Sequence, residues 1–261
     1  MKALFLLAIA LCAVSPATAQ LESPNDTGVA MGQIHVVVND IEVQKKFWVM
    51  LGGVPVKSAP PLTLIQFPGT FVVLEHGTST GGTVGSVVGH IGFFVKDIEA
   101  GIIKWKAAGI KFEQSNPKQA MLTGPDGVTV EIHEDASLLT PVKMHHVHFF
   151  GTDPSAMQAW YLKTFGAVSG KRATFLTATI PGAELAFSKA EVMTAPTKGR
   201  ALDRIGFEVK DLDAFSKRLE AQALKLDGPI QHTSRHSKTR VAFLTDPWGT
   251  SIELTENLAP K

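Results

Sequence analysis

Beyond residue 12 the sequence contains no cysteine. Disulfide bonds and thiolate metal sites are therefore excluded from everything downstream of Cys12. No apolar run after Val14 approaches the roughly 20 residues that a membrane-spanning helix needs. Blocks of like charge are missing too, and the formal net charge is +1. Nothing in that balance suggests nucleic acid or a charged membrane surface as a partner. Tyrosine occurs once, as Tyr161.

What is present begins with a short exported-protein signature. Lys2 precedes an apolar run, Ala3–Val14, and the small-residue stretch SPATA ends at Ala19. A charged start, an apolar segment and an Ala-x-Ala end read as a signal peptide over 1–19. Cys12 lies within it, preceded by Leu11 where a lipoprotein signal has a small residue. Removal takes Lys2 away and leaves 24 basic against 24 acidic residues. A cysteine-free exported chain fits a bacterial periplasm or the exterior, where disulfides are permitted but not required. Residues 20–30, QLESPNDTGVA, read as a flexible polar lead-in. The remainder, monomer or homodimer, is long enough for one large or two medium cores.

Internal repetition decides the architecture. GHIGFFVKD (89–97) returns as DRIGFEVKD (203–211), and GQIHVVVND (32–40) and HHVHFFGTD (145–153) are fainter copies. Their closing aspartates, Asp40, Asp97, Asp153 and Asp211, stand 57, 56 and 58 residues apart. Each copy opens with an alternating strand, and its aspartate sits where a helix N-cap belongs. After Asp211, Leu212, Phe215 and Leu219 follow at helical spacing, and Pro154 takes the first helical position after Asp153. Gly52, Gly109 and Gly166 stop three of the helices. LIQFPGTFVVLE and LTATIPGAELAF read as hairpins, and TGPDGVTVEIHE and LTDPWGTSIELTE as turns into a last strand. The fold class is α+β: four βαβββ modules forming two cupped mixed sheets with helices on the outer faces. The chain divides into 31–136 and 144–258, two modules each, across a linker at 137–143.

Strand alternation sorts the faces, because residues two apart share a side. Ile91, Phe93 and Val95 oppose His90, Gly92 and Phe94; Val147 and Phe149 oppose His146, His148 and Phe150. Ile205, Phe207 and Val209 oppose Arg204, Gly206 and Glu208, while Ile34, Val36 and Val38 oppose Gln33, His35 and Val37. On the last strands Glu131 shares a face with Thr129 and His133, and Glu253 with Ser251 and Thr255. The apolar faces belong under the helices and the other faces line cups. By this parity His145 points away from its cup, as a structural or exposed residue. His232 and His236 fall in a solvated hairpin.

Four such units, a histidine seven residues before the capping aspartate, and Pro-x-Gly-x-x-x-Glu closing each pair resemble the vicinal oxygen chelate superfamily. That group includes glyoxalase I, fosfomycin resistance proteins, extradiol dioxygenases and bleomycin-binding proteins. The resemblance covers nearly all of 31–257. It implies paired units that form a cupped sheet around one divalent metal ion (Zn, Mn, Ni or Fe), and ligand positions at Gln33, His90, Glu131, His146, Arg204 and Glu253. Pairing units in sequence yields Gln33, His90 and Glu131 in one cup, and His146, Arg204 and Glu253 in the other. Crossed pairing yields His90, Glu131 and His146 in one cup, a complete triad, and a degenerate second cup of Gln33, Arg204 and Glu253. The crossed arrangement gathers the loss into one cup, where Glu253 or Glu208 neutralises Arg204. His148, two residues from a ligand position, is the candidate catalytic proton carrier, the alternative being a pocket-lining histidine hydrogen-bonded to the sheet.

The resemblance implies a metal-dependent lyase or isomerase of glyoxalase type on a small oxygen-rich molecule. A metal-free binding protein of the bleomycin-resistance type, with Arg204 capturing an anion, is the alternative. An extradiol dioxygenase is disfavoured, because Tyr161 lies inside an expected helix. Protein from the native host should begin at or near Gln20. N-terminal sequencing that finds Met1 or Lys2 intact contradicts the export reading.

Overall fold

The computed structural model of the protein describes residues 21–58, 61–233 and 239–258. The expected signal segment and His236 lie outside these residues. All four units fold as strand, helix and three strands. The first comprises β1 (Val29–Val38), α1 (Ile41–Met50), β2 (Val54–Val56), β3 (Thr63–Phe67) and β4 (Thr70–His76). The second comprises β5 (Val88–Val95), α2 (Ile98–Ala107), β6 (Lys111–Asn116), β7 (Gln119–Thr123) and β8 (Thr129–Glu134). In the third are β9 (Val142–Gly151), α3 (Pro154–Phe165), β10 (Val168–Arg172), β11 (Phe175–Ile180) and β12 (Ala183–Lys189). The fourth runs through β13 (Leu202–Val209), α4 (Leu212–Ala221), β14 (Gln231–His232), β15 (Arg240–Thr245) and β16 (Ser251–Glu256).

The four aspartates cap the four helices. Asp40 accepts from the amides of Glu42 and Val43, Asp97 from Ala100, Asp153 from Ala156 and Asp211 from Ala214. Each satisfies a donor that the first helical turn leaves orphaned. The first three helices give way to left-handed Gly52, Gly109 and Gly166, whereas α4 is followed by Ala223 at a φ of 59°. No helix among the described residues is long and apolar enough to cross a membrane. Ahead of β1, Asn25 and Thr27 hydrogen-bond the carbonyl of Phe165 at the end of α3, and β1 itself begins at Val29.

Two eight-stranded sheets result, ordered β14-β15-β16-β13-β1-β4-β3-β2 and β10-β11-β12-β9-β5-β8-β7-β6. Units one and four share the first sheet, and units two and three the second. This is the crossed pairing. Each sheet thus draws one unit from either side of the linker at 137–143. Chain geometry accounts for it. The last strand of a unit runs parallel to its first, so β8 ends at the edge where β9 must start, one strand away across β5. The seven residues 135–141 step over β5, and Asp135 and Pro141 bond to Val95 and Lys96 on the way. The other two links, 77–87 and 190–201, are longer and pass between the sheets. They run side by side, joined by Ser86 and Ala195 and by bonds such as Thr80 to Gly199 and Ala201 to Gly81.

The helix-covered sides of the two sheets form one continuous core. Phe67 of the first sheet lies 4.7 Å from Phe93 of the second, and Phe165 of α3 lies 4.4 Å from Phe207 of β13. Tyr161 belongs to this core, wholly buried, and donates to Asp246 at 2.9 Å.

At the centre of each sheet the opening strands meet antiparallel, with a bulge on each strand. The pairing passes from Gly92 opposite His146 to Phe93 opposite Met144, which leaves His145 as the extra residue. In the first sheet Gly206 stands opposite Gln33 with Gly32 as the extra residue beside them, and Asp203 is the extra residue on β13. In both sheets a glycine makes room for the long side chain across from it. A Cβ at Gly92 would lie 2.1 Å from the His146 ring, and one at Gly206 would lie 2.3 Å from Gln33. Gly92→Ala should destabilise the chelator-treated protein by about 1–3 kcal/mol, as overpacked sites do. Gly206→Ala meets the Cγ of Gln33, whose unbranched chain has more rotamers to yield with than a ring, and should cost less. Urea unfolding of the two variants checks the order, and the reverse order contradicts this packing.

Candidate metal centre and its closed counterpart

The β5–β9 junction brings His90 and His146 to the same cup, and β8, parallel to β5, adds Glu131 opposite Gly92. All three are buried. Glu131 Oε2 lies 3.1 Å from His146 Nε2 and 3.2 Å from His90 Nε2. His133, two residues along β8, brings a third imidazole Nε2 to 3.2 Å from the same oxygen. On the other carboxylate oxygen, Gln119 Nε2 donates a hydrogen bond from β7. His148 completes the group: ligand atoms of His90, Glu131, His146 and His148 all lie within 4.8 Å of one another.

Protonation suits this set to a cation. Burial pushes His146 down to about 4 and His148 to about 3, and neighbouring imidazoles reinforce both shifts. These rings are neutral at pH 7 and carry lone pairs. Burial alone would raise Glu131, but the surrounding histidines outweigh it and hold the carboxyl well below the usual range. Neutral imidazoles beside one carboxylate form a donor set for Zn, Mn, Ni or Fe(II). The directions of the donors agree. His146 Nε2 and His133 Nε2, though near Glu131, make no aligned hydrogen bond, as expected of lone pairs aimed at a shared point. A buried cluster of this kind can hold a metal ion.

His145 corrects the reading from strand parity. The bulge turns it to the same side as His146, because the extra residue breaks the alternation. Its ring stacks on Phe94 at 3.9 Å, and its Nδ1 lies 3.1 Å from His146 Nδ1. With His133 and His146 it forms a second grouping of possible ligands. His148, which faces the cup, is held at Nε2 by Ser188 Oγ, 2.7 Å away, and stacks on Phe150 at 4.8 Å.

The other cup has the same frame and the opposite outcome. Gln33, Arg204 and Glu253 share it, as crossed pairing requires. Arg204 Nε is 3.2 Å from Glu253 Oε2, Nη2 is 3.1 Å from Glu75 Oε2, and Nη1 is 3.1 Å from Asp203 Oδ2. His35 Nε2 also meets Glu75, at 2.7 Å. Of the two neutralising carboxylates expected, Glu253 is correct and Glu208 is not. Glu208 instead accepts from Thr255 Oγ1 and the amides of Asn257 and Leu258, and burial raises its pKa to about 7. Sequence reasoning missed Glu75 and Asp203. Asp203 is the bulge residue that corresponds to His145, and Glu75 corresponds to His133 by register. The same register shows Val73 and Ala186 at the positions that hold Glu131 and Glu253 in the other two units.

The model of the Glyoxalase/Bleomycin resistance protein/Dioxygenase superfamily matches residues 143–254. No curated protein matches the chain by sequence. Glyoxalase I from Zea mays superposes with a TM-score of 0.67 at 16% identity, over 88% of this chain and 92% of that one. A candidate dioxygenase from Bacillus subtilis superposes with a TM-score of 0.65 at 14% identity, over 92% of this chain and 86% of that one. At such identities the likeness is one of fold. Residues 143–254 thus match this superfamily by sequence, and over both sheets the chain is similar in fold to glyoxalase I and to the dioxygenase-like protein.

Proposed function

We propose that this protein is an exported, divalent-metal-dependent enzyme with glyoxalase-like lyase or isomerase chemistry on a small oxygen-rich molecule. The observation that carries the reading is the convergence of His90, His133 and His146 on one oxygen of buried Glu131. An ion held by His90, Glu131 and His146 would polarise substrate oxygens and stabilise charge developing on them. The chain's own contributions surround that point. Gln119 fixes the carboxylate, and such outer contacts are worth about 10–100-fold in metal affinity. His148, with Nε2 occupied by Ser188, presents Nδ1 as the proton acceptor. Phe150 and Phe175 flank its ring and keep water from it. Export argues against a glutathione-derived substrate, since that thiol pool is chiefly cytosolic.

The metal-free alternative relied on Arg204 as an anion receptor. Three carboxylates already engage that guanidinium, so an incoming anion would have to displace them. Tyr161, committed to Asp246 in the core, is not available to dioxygenase chemistry in the cup.

Elemental analysis of the reconstituted protein should find about one equivalent of metal per chain. His90→Ala and His146→Ala should each lose it, and the double variant should lose little more, because both act on one ion. Gln33→Ala, Glu253→Ala and His148→Ala should retain it. Gln119→Ala should weaken binding about 10–100-fold. Two equivalents, none with any metal, or loss of metal on changing Gln33 contradicts the proposal.

A further inference from the structure

A cavity of about 400 Å³ opens directly beside His90, within the ~300–1,000 Å³ range typical of small-molecule sites. Gly89, His90 and Phe150 form its floor at the β5–β9 junction, and the two links that cross between the sheets form its roof. The two links of the roof are joined to each other, the amide of Ala195 to the Gly85 carbonyl at 2.9 Å and that of Val87 to the Ala195 carbonyl at 2.8 Å. Thr194 Oγ1 fastens the roof to the floor by donating to the Phe150 carbonyl at 3.1 Å. None of the lining residues is Asp, Glu, Lys or Arg. Three large apolar side chains at its rim, Val84, Val192 and Met193, are 80%, 74% and 89% exposed, so their own fold leaves them without apolar cover. At the opposite end of the cup, the hollow that reaches His145 is lined by Asp135 and Lys143. The two ends of the site therefore differ in polarity.

We infer that the cavity beside His90 receives an uncharged, apolar body of the ligand, of the bulk of an aromatic ring or a short branched chain, whose adjacent oxygens reach the His90, Glu131 and His146 cluster. This assignment rests on the metal reading of that cluster. A charged body is rejected because it would surrender its hydration to a lining that offers it no counter-charge. An apolar body gains by leaving water, and a methionine at the mouth adapts to its shape.

Three hydroxamates with the same chelating pair of oxygens separate the two claims. Titrated calorimetrically into metal-loaded protein, acetohydroxamate reads the metal alone. Benzohydroxamate adds a phenyl body and should bind at least tenfold more tightly than acetohydroxamate. 4-Carboxybenzohydroxamate places a carboxylate on that body and should lose this gain. Ala190→Trp, which fills the cavity away from the metal donors, should abolish the gain for benzohydroxamate and leave the acetohydroxamate affinity and metal content unchanged. Equal affinity for benzohydroxamate and its carboxylate, or a gain that survives Ala190→Trp, overturns the inference. A protein that takes up no metal fails the functional reading instead. The cavity is then read with 4-fluorotoluene, which cannot chelate. Its fluorine resonance should broaden with the wild-type protein and not with Ala190→Trp, and no broadening with either overturns the assignment.

Discussion

The antiparallel contact between β5 and β9 is the constraint on which the site depends. It brings residues from the two halves of the sequence, His90 and His146, to face the same cup. The seven residues between β8 and β9 step over one strand and so keep unit three in the sheet of unit two. Strand spacing of about 4.8 Å makes that step roughly 10 Å. The two longer links then deliver the outer units to the other sheet and, lying together, build the roof above His90.

Once this contact is set, local chemistry decides what each cup becomes. Both have a glycine opposite a long side chain, a bulge one residue before a ligand position, and one glutamate on a parallel last strand. In the β5–β9 cup the bulge residue is His145 and the second position along β8 is His133, so imidazoles gather about Glu131. In the β1–β13 cup the side chains beside Arg204 are Asp203, Glu75 and Glu253, so carboxylates gather where a cation is needed. Arg204 supplies that cation from within the chain. Glu253 is fully buried, and a buried carboxylate left without a counter-charge would cost several kcal/mol. The change from histidine to arginine between the two repeated segments thus places a guanidinium where the other cup gathers imidazoles, and keeps the frame around it.

Much of this was legible before any coordinates. The four capping aspartates and period-two strands carried the architecture, and Gln33, His90, Glu131, His146, Arg204 and Glu253 fell into the two cups that crossed pairing assigns. His145 escaped because a bulge breaks the parity on which face assignments rest. Glu75 was missed and Glu208 misjudged because only register shows which side chains lie beside Arg204. The pairing itself had a signal that sequence reasoning left unused: short residues 135–141 between units two and three, against longer stretches on either side of them.

The account stands on one cup binding a cation and its counterpart being closed by Arg204. Anomalous diffraction from crystals of the metal-loaded protein tests this most directly. The account predicts a single anomalous peak per chain, with His90, Glu131 and His146 donor atoms at about 2.0–2.2 Å from it and the Arg204 ion pairs intact. A peak between Gln33, Arg204 and Glu253, or density that leaves His90 and His146 uncoordinated, would contradict it.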